Sequence, residues 1–255
     1  MPKKFILDLV IERNQALRPD LLWLCLTRAD GEPMPEMTAG QFVELRIPTS
    51  GALLNRPISV FDCHDGVLEL LVKVVGTSTT ALAQCRPGDA LQAVAPLGRP
   101  FSMEGRRPLL VGGGVGIAPM YCLAKAYAAR GIRAQLVYGE RTTPPAALLD
   151  HLAEVADLHL CTDDGSAGFH GLVTAHPICS EGGFDIVQTC GPLPMMRAVA
   201  SMAAAAGVEC EVSLENKMAC GLGACLCCVE DTTTGRRCVC SDGPVFNTKE
   251  LTWQI

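Results

Sequence analysis

The first hundred residues carry short apolar runs separated by turn signals. The runs are Lys4–Val10, Leu21–Leu26, Gln41–Ile47, Pro57–Phe61, Val67–Val75 and Ala90–Ala95. Gly31, Gly40, Gly51, Gly66 and Pro87-Gly88 punctuate them. Strands of this length and spacing predict a small antiparallel β-barrel or sandwich over residues 1–102. After Pro100 the pattern changes. Leu109–Gly112 reads as a buried strand, followed by glycines and a helix over Met120–Arg130 that stops at Gly131. Ala134–Gly139, Leu158–Thr162 and Phe184–Thr189 read as further strands. Leu148–Ala156 and Met195–Ala206 read as helices. Strands alternating with helices predict a parallel α/β sheet over residues 103–213. The remainder, 214–255, shows little hydrophobic periodicity. The fold class expected is therefore multidomain β plus α/β, with a small third domain at the C-terminal end.

Composition narrows the picture. Apolar residues make up 49% of the 255 and charged residues 19%, which excludes disorder for most of the chain. A net charge of −6 argues against a general nucleic-acid binder, because such proteins neutralise phosphates with Lys and Arg. No apolar run is long enough to span a bilayer, and Asp8 and Glu12 interrupt any signal-peptide core after Lys3 and Lys4. These features lead us to expect a soluble cytoplasmic protein.

The 14 cysteines are the departure from an ordinary composition. Seven lie before Gly191 and seven from Cys210 onward, so the chain is no evenly stapled secreted scaffold. Cys220, Cys225 and Cys228 form C-x4-C-x2-C, and Cys240 follows after eleven residues. This is the spacing of plant-type [2Fe–2S] sites. Four thiolates must wrap round two irons, and Gly221 and Gly223 allow the backbone angles this needs. A zinc site is the competing reading, although zinc ribbons favour paired C-x2-C knuckles or nearby His. Cys227 and Cys238 are extra thiols. Cys238 competes with Cys240 for the fourth place, and the Ser241-Asp242-Gly243-Pro244 turn favours Cys240.

Two glycine turns stand between strand and helix in the α/β region. One is Gly112-Gly113-Gly114-Val115-Gly116, the other Cys190-Gly191-Pro192. Turns at the carboxyl ends of strands are where such sheets bind nucleotides, and a helix N-terminus favours a phosphate. Pro119 stands where a strict G-x-G-x-x-G would have its third glycine. Within the barrel, Arg56-Pro57-Ile58-Ser59 and Ser78-Thr79 offer further phosphate contacts. Asp163 and Asp164 follow a strand end, where an acid either disfavours a 2′-phosphate or serves a turn or cap. The five histidines show no ligand-like spacing.

Taken in order, R-P-x-S, G-G-G-x-G-I-A-P, C-G-P and the terminal cysteine loop resemble the ferredoxin–NADP reductase superfamily. Within it, the chain is similar to the electron-transfer subunits of NAD-dependent (class 1B) dihydroorotate dehydrogenases. Met218–Cys228, Cys240–Phe246, Leu54–Ser59 and Thr162–Ser166 with Gly171 carry the likeness. The resemblance implies that Arg56, Pro57, Ile58 and Ser59 bind FAD, that Leu71, Val72 and Lys73 line the flavin, and that Ser78 and Thr79 contact its phosphates. It implies that Gly112, Gly113, Gly114 and Gly116 hold the pyrophosphate of NAD(H), with Cys190, Gly191 and Pro192 near the nicotinamide. Cys220, Cys225, Cys228 and Cys240 would hold a [2Fe–2S] cluster. The implied function is electron transfer between NAD and an FMN-containing catalytic subunit in pyrimidine biosynthesis, in a heterotetramer with two of each subunit. No residue of this chain is implied to be catalytic towards dihydroorotate. A diaphorase subunit of another flavin or hydrogenase-type complex, and a zinc-binding regulatory module, are the alternatives.

Overall fold

The structure is a computed structural model, and it describes residues 3–48 and 51–254. Six strands close into an antiparallel barrel in the order β1-β2-β5-β4-β3-β6. They are β1 (Phe5–Arg18), β2 (Leu21–Arg28), β3 (Phe42–Arg46), β4 (Arg56–His64), β5 (Val67–Lys73) and β6 (Ala90–Leu97). Alternation sends one set of side chains inward. Leu7, Leu9 and Ile11, Leu22, Leu24 and Leu26, Leu68, Leu70 and Val72 meet in the barrel core. The opposite face of β2 is not solvated. Leu21, Trp23 and Cys25 join a second core with residues from the α/β region, which is why β2 reads as an unbroken apolar run. Helix α1 (Thr77–Gln84) follows β5.

The second layer is a seven-stranded sheet in the order β10-β9-β8-β7-β11-β12-β15. Its central strands are β7 (Pro108–Gly113), β8 (Ala134–Glu140), β9 (Ala156–Thr162), β11 (Ile186–Cys190) and β12 (Glu209–Ser213), all parallel. A short β10 (Phe169–His170) lies at one edge. Helices α2 (Ile117–Ala129), α3 (Ala146–Val155) and α4 (Leu193–Ala205) make the crossovers. Both faces are buried: Leu110 and Leu136 face α2 and α3, whereas Val111, Val137 and Val187 face α4. The expected helix over Met120–Arg130 begins three residues earlier, at Ile117. Pro119 sits in the first turn, where a missing N–H costs nothing.

The cysteine-rich segment has more structure than its pattern suggests. Strands β13 (Val229–Thr232) and β14 (Gly235–Cys238) form a hairpin, and α5 (Val239–Asp242) is a single helical turn. That helical turn stands where a sharp turn after Cys240 was expected. The Asp242 carboxylate accepts from the Cys238 N–H at 2.9 Å and holds it. Strand β15 (Val245–Asn247) then pairs antiparallel with β12 and so joins the segment to the α/β sheet. Among the described residues no helix is long and apolar enough to cross a membrane.

Candidate functional site

The sheet order reverses between β7 and β11, and both glycine turns lie at that crevice. The turns pack on one another. A side chain at Gly116 would strike the Cys190 carbonyl, and one at Gly113 would strike Met195. Gly112 has a different task from the one expected: it lines neither cleft, and its bare Cα lets Ile117 and Met120 pack against β7. Gly114 holds a φ of +56° in open space, so it is the residue that bends the turn toward a ligand.

Two clefts meet at this crevice. The wider, about 680 Å³, runs from Gly113 and Gly114 past the ends of β8 and β9 to Glu140, Arg141 and Asp163. Arg18 and Asp20 of the barrel form its other wall, and neither was anticipated from sequence. Arg18 bonds Glu140 at 3.2 Å, and Tyr138 donates to the same carboxylate oxygen at 3.0 Å. The structure separates the two adjacent acids. Asp163 lines the cleft, while Asp164 accepts from the Ser166 N–H at 2.9 Å and is spent on the turn.

The narrower cleft, about 400 Å³, is walled on the barrel side by Arg56, Pro57, Ile58, Ser59, Leu71, Lys73 and Thr79. Gly113, Gly116, Cys190, Gly191 and Pro192 face them. Burial, with Glu215 adding to it, pushes the Cys190 thiol up to about 12, so it stays protonated. One expected contact needs correction. Val72 points into the barrel core, since alternation gives the cleft face to Leu71 and Lys73, and only its backbone remains for a ligand. The Thr79 hydroxyl is already engaged: it accepts from the Val75 and Gly76 N–H groups and donates to the Gly76 carbonyl. Ser78 is the reverse case. Its hydroxyl is buried at the start of α1 with no partner; Ser78 itself lines neither cleft, and its neighbour Thr79 does.

The third part of the site is the cysteine loop, which abuts the narrower cleft through Met218 and Pro244. Gly221 and Gly223 have φ of +65° and +81°, and Leu226 shares this left-handed conformation at +57°. These angles turn backbone N–H groups toward sulfur. Leu222 donates to Cys220 Sγ at 3.4 Å, Gly223 to Cys240 Sγ at 3.1 Å, and Cys240 to Cys228 Sγ at 3.4 Å. Burial raises the Cys220 pKa, but the backbone N–H groups of Leu222, Cys225 and Ala224 and the Cys225 thiol outweigh it and bring the thiol down to about 6. Among the described residues no three His, Cys, Asp or Glu side chains converge on a single ion. Cys220 meets Cys225, and Cys228 meets both Cys240 and Cys238. Cys238 faces the Gly223 carbonyl at 3.9 Å, an environment for a protonated thiol, and Cys227 is exposed. Glu44 of β3 lies beneath the loop, fully buried, with both carboxylate oxygens unpartnered. Its position among buried neighbours gave no signal in the sequence.

Comparison with known proteins agrees with this geometry. Residues 215–252 match the family model described as the iron-sulfur cluster binding domain of dihydroorotate dehydrogenase B. The electron transfer subunit of dihydroorotate dehydrogenase B (NAD(+)) from Bacillus caldolyticus is 39% identical over 224 residues, covering 83% of this chain and 86% of that protein. The subunit of the same name from Geobacillus sp. (strain WCH70) is 35% identical over 255 residues, covering 96% and 97%. Among solved structures, an NADH-dependent reduced ferredoxin-NADP oxidoreductase superposes with a TM-score of 0.83 at 32% identity, over 96% of this chain and 89% of that one.

Proposed function

Since this chain belongs to the family of dihydroorotate dehydrogenase B electron transfer subunits, we propose that its two clefts and cysteine loop hold FAD, NAD(H) and a [2Fe–2S] cluster in series. It is an NAD-linked flavin iron–sulfur oxidoreductase subunit that works with a catalytic partner. The iron–sulfur family match sets aside the zinc reading. The observation that carries the proposal is adjacency: the cleft between Arg56–Ser59 and Cys190–Pro192 has Met218 and Pro244, which flank the cysteine loop, in its wall.

We divide the chain at residues 1–102 for FAD, 103–213 for NAD and 214–255 for the cluster. Bound in these places, FAD and the cluster supply the exchange between a hydride and single electrons. The residues hold and orient. Arg56 and Ser59 bind the flavin's anionic groups, and Leu71 shields the ring. The turns at Gly113-Gly114 and Gly191 accept the nucleotide's pyrophosphate. Asp163 sets a negative charge against a 2′-phosphate and so favours NAD. Cys220, Cys225, Cys228 and Cys240 ligate the irons, and backbone N–H groups stabilise the thiolates.

The partner we propose carries FMN, acts on dihydroorotate in pyrimidine biosynthesis, and assembles two-to-two with this chain in the cytoplasm. Leu222 and Leu226, both exposed on the cluster loop, are the contact we assign to it. A reductase role in another flavin complex draws on the 32% identity to the NADH-dependent reduced ferredoxin-NADP oxidoreductase; the 39% and 35% identities to dihydroorotate dehydrogenase B subunits favour the first reading. The test is an anaerobic visible spectrum of the purified chain, with iron and acid-labile sulfide counted. Flavin bands with about two irons and two sulfides per chain are expected. A colourless protein refutes the proposal.

A further inference from the structure

Hydride transfer between two cofactors held on separate structural units needs those units in fixed register. Reacting atoms must approach to about 3–3.5 Å, and a misplacement of about 1 Å can slow a reaction on the order of a hundredfold. Interfaces between such units ordinarily permit motion. In this chain the two elements nearest the cofactor clefts touch directly. Strand β4 opens with Arg56–Ser59, in the wall of the narrower cleft, and helix α2 opens directly after the Gly112–Gly116 turn.

The register of β4 against β5 slips between Val60 and Asp62. In a regular strand, consecutive side chains point to opposite faces; a bulge re-aims one of them. Here Val60 stays in the barrel core, while Phe61 and Asp62 both face α2. The Phe61 ring stacks on Tyr121, with centroids 4.3 Å apart and planes 15° from parallel. Asp62 Oδ2 lies 2.5 Å from Lys125 Nζ. Tyr121 and Lys125 are one helical turn apart and so share a face. Behind them, Trp23 sits edge-on to Phe61 at 5.3 Å and to His151 of α3 at 4.6 Å, and its indole donates to Glu69 at 2.5 Å. Asp62 is only 6% exposed. The Lys125 side chain is 41% exposed, so the pair is half-buried; it contributes little stability of its own, and what it provides is one fixed geometry.

We propose that the Phe61–Tyr121 stack and the Asp62–Lys125 ion pair form a clamp that locks the flavin-holding strand to the nucleotide-holding helix, making these four positioning residues for hydride transfer. The proposal rests on the assignment of FAD and NAD(H) to the two clefts. It predicts damage to transfer without damage to binding.

The test uses the full chain loaded with FAD and cluster, mixed anaerobically with NADH in a stopped-flow spectrometer. Lys125→Met and Tyr121→Leu are expected to slow flavin reduction at saturating NADH by tenfold or more. They should also weaken the long-wavelength charge-transfer absorbance between flavin and nicotinamide. FAD content and the Kd for NADH should be unchanged, and Lys125→Arg and Tyr121→Phe should stay within threefold of wild type. Variants that reduce as fast as wild type, or that slow only in proportion to lost FAD or weakened NADH binding, overturn the clamp. A wild-type flavin that NADH leaves oxidised overturns the functional assignment and the clamp with it.

Discussion

A buried carboxylate without a partner is costly, and Glu44 is one. Burial first, and Cys220 second, push its carboxyl up to about 7, against a smaller pull from Arg56. The folded chain therefore keeps a proton that the unfolded chain loses near pH 4.5. That contribution to stability is present below pH 4.5 and is lost as the pH rises through about 7. Glu44→Gln should exceed wild type in stability at pH 8 by roughly 1–3 kcal/mol, with the gap closing toward pH 4.5. Denaturant melts across that range would show it, and a gap independent of pH would refute it. The thiols divide similarly by environment. Cys220→Ser, Cys225→Ser, Cys228→Ser and Cys240→Ser should each lose iron and sulfide, whereas Cys227→Ser and Cys238→Ser should retain about two of each. Elemental analysis decides, and a Cys238→Ser variant without iron would reassign the fourth ligand.

At the scale of elements, two turns from distant parts of the chain fit only because glycine stands between them. Gly116 lies against the Cys190 backbone, so Gly116→Ala must push the turn after β7 away from the turn after β11. We expect a loss of about 1–3 kcal/mol in stability and at least tenfold weaker NADH binding by titration. Unchanged affinity would show that the two turns do not act together. The sequence made both turns visible, because strand, glycine run and helix follow one another locally. It did not reveal which glycine does what. Gly112 packs a helix and Gly114 bends toward the cleft, and that depends on neighbours far along the chain. The hairpin β13–β14 was missed for a related reason: its strands are four residues each and mostly polar or half-exposed, so no alternation marks them.

At the scale of the molecule, the chain holds the path for electrons but names no site for dihydroorotate. The loaded subunit alone should show NADH-dependent flavin reduction and no oxidation of dihydroorotate in a dye-linked assay. That activity should appear on adding the catalytic partner, and turnover by the isolated chain would overturn the division of labour. The order barrel, α/β sheet and cysteine loop was fixed by sequence alone. Period-two runs, strand–helix alternation and thiol spacing are local properties that a linear chain displays. Tertiary structure decided what lies between the parts. The unbroken apolar run of β2 gave no hint that one face belongs to the α/β core, and nothing near Asp62 announced Lys125, 63 residues away. Nor did the C-terminal segment show that β15 would complete the α/β sheet. Such contacts depend on how separately legible units pack, and packing couples positions whose separation in sequence carries no periodic signal.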